Sequence, residues 1–445
     1  MIRLSDLTRR RLARCGALAW ISLVLARTQA TTDATSALPA DRLSLADARR
    51  LGFQRNWDLL AAKSDVDIAL AQRLVAREFP NPTASFSVEK ISADSHPSRS
   101  ISGNGYWDRN YDTVAAVNQL IEIGGKRRAR KDSAAAGLKG AEARLADARR
   151  LLDQGVTQAY VGVLLAERNH DVLADSATSL RQEARIAEVR QRAGDISLAD
   201  QNQIEIAAER LELDAAGAEA GARKTRVALE VLLGEKEPRG EIKLADSLDS
   251  LGNVSTEAAN TPSATFSRPD LLAAEAARAQ AEADLRLQKA VRIPDPTFLA
   301  QYEHEPPDQP NTVGFGVSFP LPLWNRNGGN LAAARAALEQ TTTNAEKVRA
   351  QVMADIAVAR MSYSAAVTRW QRYRDELTPK SRQVRDSVSL AYEKGGAALL
   401  DLLAAQRNDN EVRLATTQAA ADAANAAANL RAALNLTDSA NPQTK

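Results

Sequence analysis

From Thr312 to Leu321 the chain alternates. Val313, Phe315, Val317, Phe319 and Leu321 are bulky and apolar, and Thr312, Gly314, Gly316 and Ser318 between them are small or polar. A period of two is that of a β-strand with one apolar face. The same period predicts a strand at about 83–90, where Ala84, Phe86 and Val88 oppose Ser85, Ser87 and Glu89. A third is predicted at about 297–303, with Phe298, Ala300 and Tyr302 on one face and Leu299 out of pattern. A fourth, about 111–123, is less regular because Asn118, Gln119 and Glu122 interrupt it. Elsewhere the pattern is helical. Residues 43–78 and 268–291 read as helices that end at Phe79-Pro80-Asn81-Pro82 and Ile293-Pro294-Asp295-Pro296, where proline removes a donor and disfavours helix before it. Lys126 to about Arg192 reads as one helix of about 100 Å at the ordinary helical rise. Gly194 then turns the chain, and the tract from Ile196 to Leu233 returns. A second such hairpin turns at Gly395-Gly396, interrupted only by Pro379.

These elements occur twice in the same order. Asn56-Trp57-Asp58-Leu59-Leu60-Ala61-Ala62 returns as Arg268-Pro269-Asp270-Leu271-Leu272-Ala273-Ala274, and the two proline elements correspond. Gly194 and Asp200 return at the same interval as Gly395 and Asp401, and Leu229–Gly234 returns as Leu430–Asn435. The division predicted is a signal peptide (1–30), a linker (31–42), repeat 1 (43–236), an intervening segment (237–267), repeat 2 (268–436) and a tail (437–445).

Composition sharpens the picture. Aromatics are 4% of residues and charged residues 26%, lean for a large globular core and suited to long, closely packed helices rich in alanine. Five arginines precede the short apolar run Cys15–Ala26, and Thr28-Gln29-Ala30 follows. That is the build of a secretory signal peptide; the run is too short to span a bilayer. Thr8-Arg9-Arg10 also admits a twin-arginine reading. Cys15, the single cysteine, follows Arg14 and precedes the apolar run, which argues against lipidation. Removing residues 1–30 leaves a nearly neutral chain without thiols, which excludes disulfides, thiolate metal sites and a nucleic-acid footprint. No apolar stretch outside the leader approaches the length of a membrane helix.

Apolar-out, polar-in alternation over about ten residues is the pattern of a transmembrane barrel strand. Four strands cannot close a barrel in lipid, because open edges leave backbone groups unpaired, so further copies of the chain are needed. A small sandwich domain is the alternative, but it explains neither the duplication nor the glycine-lined face.

The duplicated strand–strand–hairpin plan, the Pro-X-Pro element before each strand pair and the glycine-then-aspartate tips resemble the TolC-like outer-membrane factor (outer membrane efflux protein) family. Leu120-Ile121-Glu122-Ile123-Gly124-Gly125-Lys126-Arg127 and Phe319-Pro320-Leu321-Pro322-Leu323-Trp324-Asn325-Arg326-Asn327 resemble its CzcC-like cobalt-zinc-cadmium branch. In that branch Trp324 would ordinarily be Phe, and Gly329 sits one place beyond an expected glycine. The resemblance covers about residues 43–436. It implies a mainly α fold with a small β part, and a homotrimer whose twelve-stranded barrel spans a Gram-negative outer membrane above a periplasmic α-helical barrel. It further implies passive export of divalent metal cations, with an inner-membrane pump of the resistance-nodulation-division (RND) class and a periplasmic adaptor as partners. The same channel serving organic toxicants or secreted polypeptides, or a periplasmic adaptor or coiled-coil scaffold, are the alternatives.

The resemblance assigns Gly194, Asp195, Gly395 and Gly396 to adaptor-contacting tips and Asp401 to a channel constriction; Ala404 stands where relatives can carry a second aspartate. For Asp401 a carboxylate near a helix start is an equally physical reading, and for Asp200 it is the leading one. Phe86, Val88, Phe315, Val317 and Phe319 are expected to face lipid. Of the three histidines, His96 and His304 are expected in loops, with Glu303-His304-Glu305 able to hold a divalent ion weakly, and His170 is mid-helix without a partner one turn away. No residue is assigned as a metal ligand, no cofactor is expected, and the absence of a phosphate loop, a metal-hydrolase pair or a nucleophile elbow excludes the common enzyme classes.

Overall fold

A computed structural model describes residues 42–89, 112–252, 267–305 and 309–436. The expected leader, its single cysteine, His96 and the tail lie outside these residues. Repeat 1 comprises α1 (Leu45–Arg55), α2 (Trp57–Val75), β1 (Thr83–Glu89), β2 (Asp112–Leu120), α3 (Lys126–Arg192) and α4 (Leu198–Leu232). A short α5 (Leu248–Leu251) lies in the intervening segment. Repeat 2 comprises α6 (Pro269–Val291), β3 (Thr297–Glu305), β4 (Gln309–Ser318), α7 (Gly328–Arg372), a π-helical turn (Tyr373–Leu377), α8 (Thr378–Glu393) and α9 (Leu399–Ala433).

The long helices stand where the pattern puts them, with four differences. First, the expected helix 43–78 is two helices. Asn56 ends α1, donates its side chain to the Leu232 carbonyl at 3.0 Å, and accepts the Leu59 N–H at 3.0 Å. One buried side chain thus joins three helix ends. Secondly, Pro379 does not stop its helix. The preceding turn widens to a π-helix, which accommodates a residue that cannot donate. Thirdly, the second strand ends at Leu120 rather than 123, because Gly124 and Gly125 take φ of +72° and +81° to turn into α3. Fourthly, β3 runs on to Glu305 and β4 starts at Gln309, the two meeting through a register shift, and β4 stops before Pro320.

The four strands form one antiparallel sheet in the order β1-β2-β3-β4. β2 and β3 belong to different repeats, so the seam between repeats runs through the sheet. Below it the seam continues as α3 against α6 and α9. The C-terminal part of α9 is buried on several sides and is mostly alanine there, with Ala419, Ala420, Ala421, Ala423, Ala424, Ala426, Ala427 and Ala428 all buried. Small side chains let the helices approach closely, so the chain needs few aromatics to be well packed.

The intervening segment returns to the N-terminus of the fold. Leu43 and Leu244 form a parallel bridge, with Leu43 N–H donating to Lys243 O at 2.8 Å. Tyr160, fully buried, reaches Leu43 O at 2.8 Å. Burial pushes its hydroxyl well above the usual tyrosine range. The Glu230 carboxylate accepts four consecutive backbone N–H groups, from Arg239, Gly240, Glu241 and Ile242, at 2.6–3.2 Å. No described helix is long and apolar enough to cross a membrane.

Candidate functional site

Two surfaces carry the candidate residues: the sheet and the hairpin tips. In an antiparallel sheet, directly opposed residues share a face. Phe86 opposes Ala115, which opposes Tyr302, which opposes Val313. Ala84, Val117, Ala300 and Phe315 follow on the same face, as do Phe298 and Val317. The apolar faces of all four strands therefore merge into one. Phe315 is 84% exposed and Phe86 65%, far from the burial ordinary for phenylalanine. Val317 and Phe319 are exposed as well, and Val88 is half-buried on that face. An apolar surface of this extent is built to meet something other than water.

The opposite face is mostly polar or small, with Ser85, Ser87, Asn118, Gln301, Glu303, Gly314, Gly316 and Ser318, and it also carries Val114, Leu120 and Leu299. A Cβ at Gly314 would meet Gln301 Cγ at 3.0 Å, so glycine there makes room for the amide. Glu303, His304 and Glu305 do not converge as a trio. His304 lies within β3, not in a loop, and points to the face opposite its neighbours. The carboxylates of Glu303 and Glu305 instead meet that of Asp112, their oxygens all within 4.8 Å of one another. These are hard oxygen donors on the polar face, a set that sequence spacing could not reveal because Asp112 comes from the other repeat.

Below the sheet, the two glycines before α3 lead Lys126 inward. Its Nζ lies 2.7 Å from Asp295 Oδ1 and 2.6 Å from Ile293 O, and the Ile123 N–H reaches the same carboxylate at 2.9 Å. Repeat 1's Gly-Gly-Lys and repeat 2's Pro-Asp-Pro are thus two halves of one joint. Arg127 donates to Arg77 O and stacks on Phe79 at 3.9 Å, and Arg130 pairs bidentately with Glu122.

At the far end, Gly194 takes φ of +84° and Asp195 N–H donates to Arg190 O at 2.9 Å, a left-handed helix stop. Gly395 repeats it with φ of +74°, and Gly396 N–H donates to Ala391 O at 2.7 Å. Ser197 caps α4 through the Asp200 N–H at 3.1 Å. Asp401, exposed, accepts the Ala398 N–H at 3.2 Å, so the helix-start reading of this carboxylate holds. The two tips pack together through Leu180, Ala187, Ile204, Tyr392, Leu399 and Leu402. Arg190 donates to Tyr392 O at 3.1 Å, and Ser389 donates to the buried Glu183 at 2.6 Å. Burial raises the Tyr392 hydroxyl, against the opposing pull of Arg190. These cross-hairpin contacts have no local sequence signal. His170, mid-helix, meets the adjacent Asp171 carboxylate at 3.4 Å.

A family model described as "Outer membrane efflux protein" matches residues 51–235 and 262–436. The chain belongs to the outer membrane efflux protein family. The family model thus matches the chain in two segments. Among curated relatives, the cobalt-zinc-cadmium resistance protein CzcC of Cupriavidus metallidurans is 27% identical over 380 residues, 84% of this chain and 86% of its own. The pyoverdine export outer membrane protein OpmQ of Pseudomonas aeruginosa is 27% identical over 372 residues, covering 79% of this chain and 76% of its own. The solved structure of CusC, described with transmembrane channel formation, superposes with a TM-score of 0.72 at 18% identity, covering 88% of this chain and 91% of that one. The fold is therefore that of the outer membrane efflux family: mainly helical, with a small antiparallel sheet and a duplicated hairpin repeat.

Proposed function

We propose that the protein is the passive outer-membrane duct of a tripartite efflux system of the RND type. Three copies would close a twelve-stranded barrel in the outer membrane, and their six helical hairpins would extend the conduit into the periplasm. The observation that carries this reading is the single apolar face running across all four strands, opposite a face made mostly of small and polar residues. Lipid on one side and water on the other is what such a sheet demands. With no nucleotide-binding motif, energy would come from the inner-membrane pump, reached through a periplasmic adaptor that engages the tips at Gly194, Asp195, Gly395 and Gly396. The purified protein in detergent should run as a trimer and give discrete conductance steps in planar bilayers. A monomer without conductance would remove the duct reading.

Asp401 fits a constriction in this reading. Three carboxylates around one axis attract cations and repel one another. Asp401→Ala should raise single-channel conductance and weaken block by divalent cations. A variant that unfolds at a lower temperature with unchanged conductance would leave Asp401 as a helix cap only.

We further propose divalent metal cations as cargo, supported by the CzcC relative that matches 84% of the chain. OpmQ, at the same identity over nearly the same length, favours organic cargo as the second reading. Deleting the gene and scoring growth separates them: sensitivity to zinc, cobalt or cadmium supports the first, and sensitivity confined to organic toxicants or iron chelators supports the second.

A further inference from the structure

The seam inside the chain is a template for the seam between chains. Thr83 and Thr297 are equivalent, since each opens its strand directly after a Pro-X-Pro element. Thr83 faces Asn118 and Thr297 faces Ser318, so Asn118 and Ser318 are equivalent too. Where the repeats meet, Thr297 faces Leu120, two residues beyond Asn118. The equivalent step on the open edge of repeat 2 ends at Pro320, two residues beyond Ser318.

We infer that β4 pairs with β1 of a second copy in the register that sets Pro320 opposite Thr83, Ser318 opposite Ser85, Val317 opposite Phe86 and Gly316 opposite Ser87. The assignment rests on the ring reading above and fixes what that reading leaves open. Three independent features agree with it. The faces match: Val317 and Phe86 are both on the apolar side, and Ser318 and Ser85 both on the polar one. A register displaced by one residue would put phenylalanine on the polar side.

The hydrogen-bond phase also matches. Ile121 N–H donates to Pro296 O at 3.0 Å, so Leu120 and Thr297 form a non-hydrogen-bonded pair, because bonded and non-bonded pairs alternate. Pro320, in the place of Leu120, then needs no donor toward β1, and the proline that ends β4 leaves the new ladder intact. Leu321 N–H would donate to Pro82 O of the second copy, as Ile121 does to Pro296.

Helix burial shows the same vacancy in the contacts. α6 packs on both α3 and α7, whereas its equivalent α2 packs on α3 and α1. Pro269 is buried, but Trp57, which holds its place in the duplicated motif, is 53% exposed. Ile68, Leu74 and Val75 on α2 and Met353, Val358 and Met361 on α7 are likewise exposed. Joining α7 to α2 of the second copy repeats the α3–α6 contact and covers both sets.

Cysteine pairs test the register, in a background where Cys15, the single cysteine of the chain, is replaced by serine. Non-hydrogen-bonded partners lie about 4.5 Å apart at Cα, within disulfide reach, whereas a displacement of two residues opens this to roughly 7–8 Å. Ser85→Cys with Ser318→Cys, and Ser87→Cys with Gly316→Cys, should link on mild oxidation into a covalent ladder that ends at the ring size. The same four substitutions recombined, Ser85→Cys with Gly316→Cys and Ser87→Cys with Ser318→Cys, should link on the order of tenfold less. All four sites face the polar side, and a Cβ at Gly316 comes no closer than 3.4 Å to Leu299. Linking by the recombined pairs instead, or by no pair in a protein that runs as a trimer, overturns the register and spares the ring. A chain that stays monomeric in all four variants and in the parent overturns both.

Discussion

Gly234→Ala should destabilise the folded chain by about 3 kcal/mol or more, the sum of left-handed backbone strain and a clash with backbone atoms. Gly234 ends α4 with φ of +83°. A Cβ there would stand 2.5 Å from Arg55 O and 2.8 Å from Arg55 C, at the end of α1. Neither atom belongs to a side chain that can swing away. Gly125→Ala is the control, since its φ is +81° and nothing lies within 4 Å of the added atom. It should cost only the strain, about 1–2 kcal/mol. The duplication supplies a further variant. Asn435 occupies the equivalent place in repeat 2 with φ of +52°, so asparagine suits the conformation. Gly234→Asn should therefore relieve the strain and keep the clash, falling nearer to Gly234→Ala than to wild type. Thermal unfolding in detergent, followed by circular dichroism, ranks the three. Equal losses at 234 and 125 would show that the approach of α1 to α4 is not tight.

Arg385→Met should cost about 3–5 kcal/mol by leaving a buried charge without its partner. The Asp409 side chain on α9 is only 1% exposed. It pairs with Arg385 on α8 at 2.9 Å and accepts from Ser381 at 2.9 Å. Ser381→Ala removes one neutral donor and should cost about 1 kcal/mol. Replacing both charged partners, as Arg385→Met with Asp409→Leu, should recover most of the loss, because an apolar pair of similar volume avoids the desolvation of two ions. The same unfolding experiment distinguishes the cases. A double variant as unstable as Arg385→Met would mean that the pair is needed for the shape of the hairpin and not only for its own neutralisation.

Most of the architecture was legible because two simple periodicities carry it. Alternation marked three of the strands and the apolar face of each, and the glycines at 194 and 395 marked the ends of the hairpins. β2 was harder: Ala115 and Ala116 point to opposite faces yet are chemically identical, so its pattern carries little contrast. The break at Asn56 was hidden for a different reason. No glycine or proline stands there; an asparagine side chain satisfies helix ends that meet only in three dimensions. Contacts made across the fold were also out of reach. Lys126 with Asp295, Asp112 with Glu303 and Glu305, and Arg190 with Tyr392 each join the two repeats. A local pattern gives each residue a face but not a partner.

The intervening segment that holds Leu244 against Leu43 has a kinetic consequence. By tying the two repeats into one chain, it turns every second seam of a ring into an intramolecular contact, formed at an effective concentration set by the linker and not by the supply of protein. A ring of three such chains has three seams to form between molecules, where six separate repeats would have six. Each newly made chain can complete its β2–β3 seam alone, while β1 and β4 remain open edges that hydrocarbon does not tolerate. In the proposed duct, insertion into lipid would then wait for, or coincide with, the meeting of copies, and a chain diluted below that threshold would stay stranded in water.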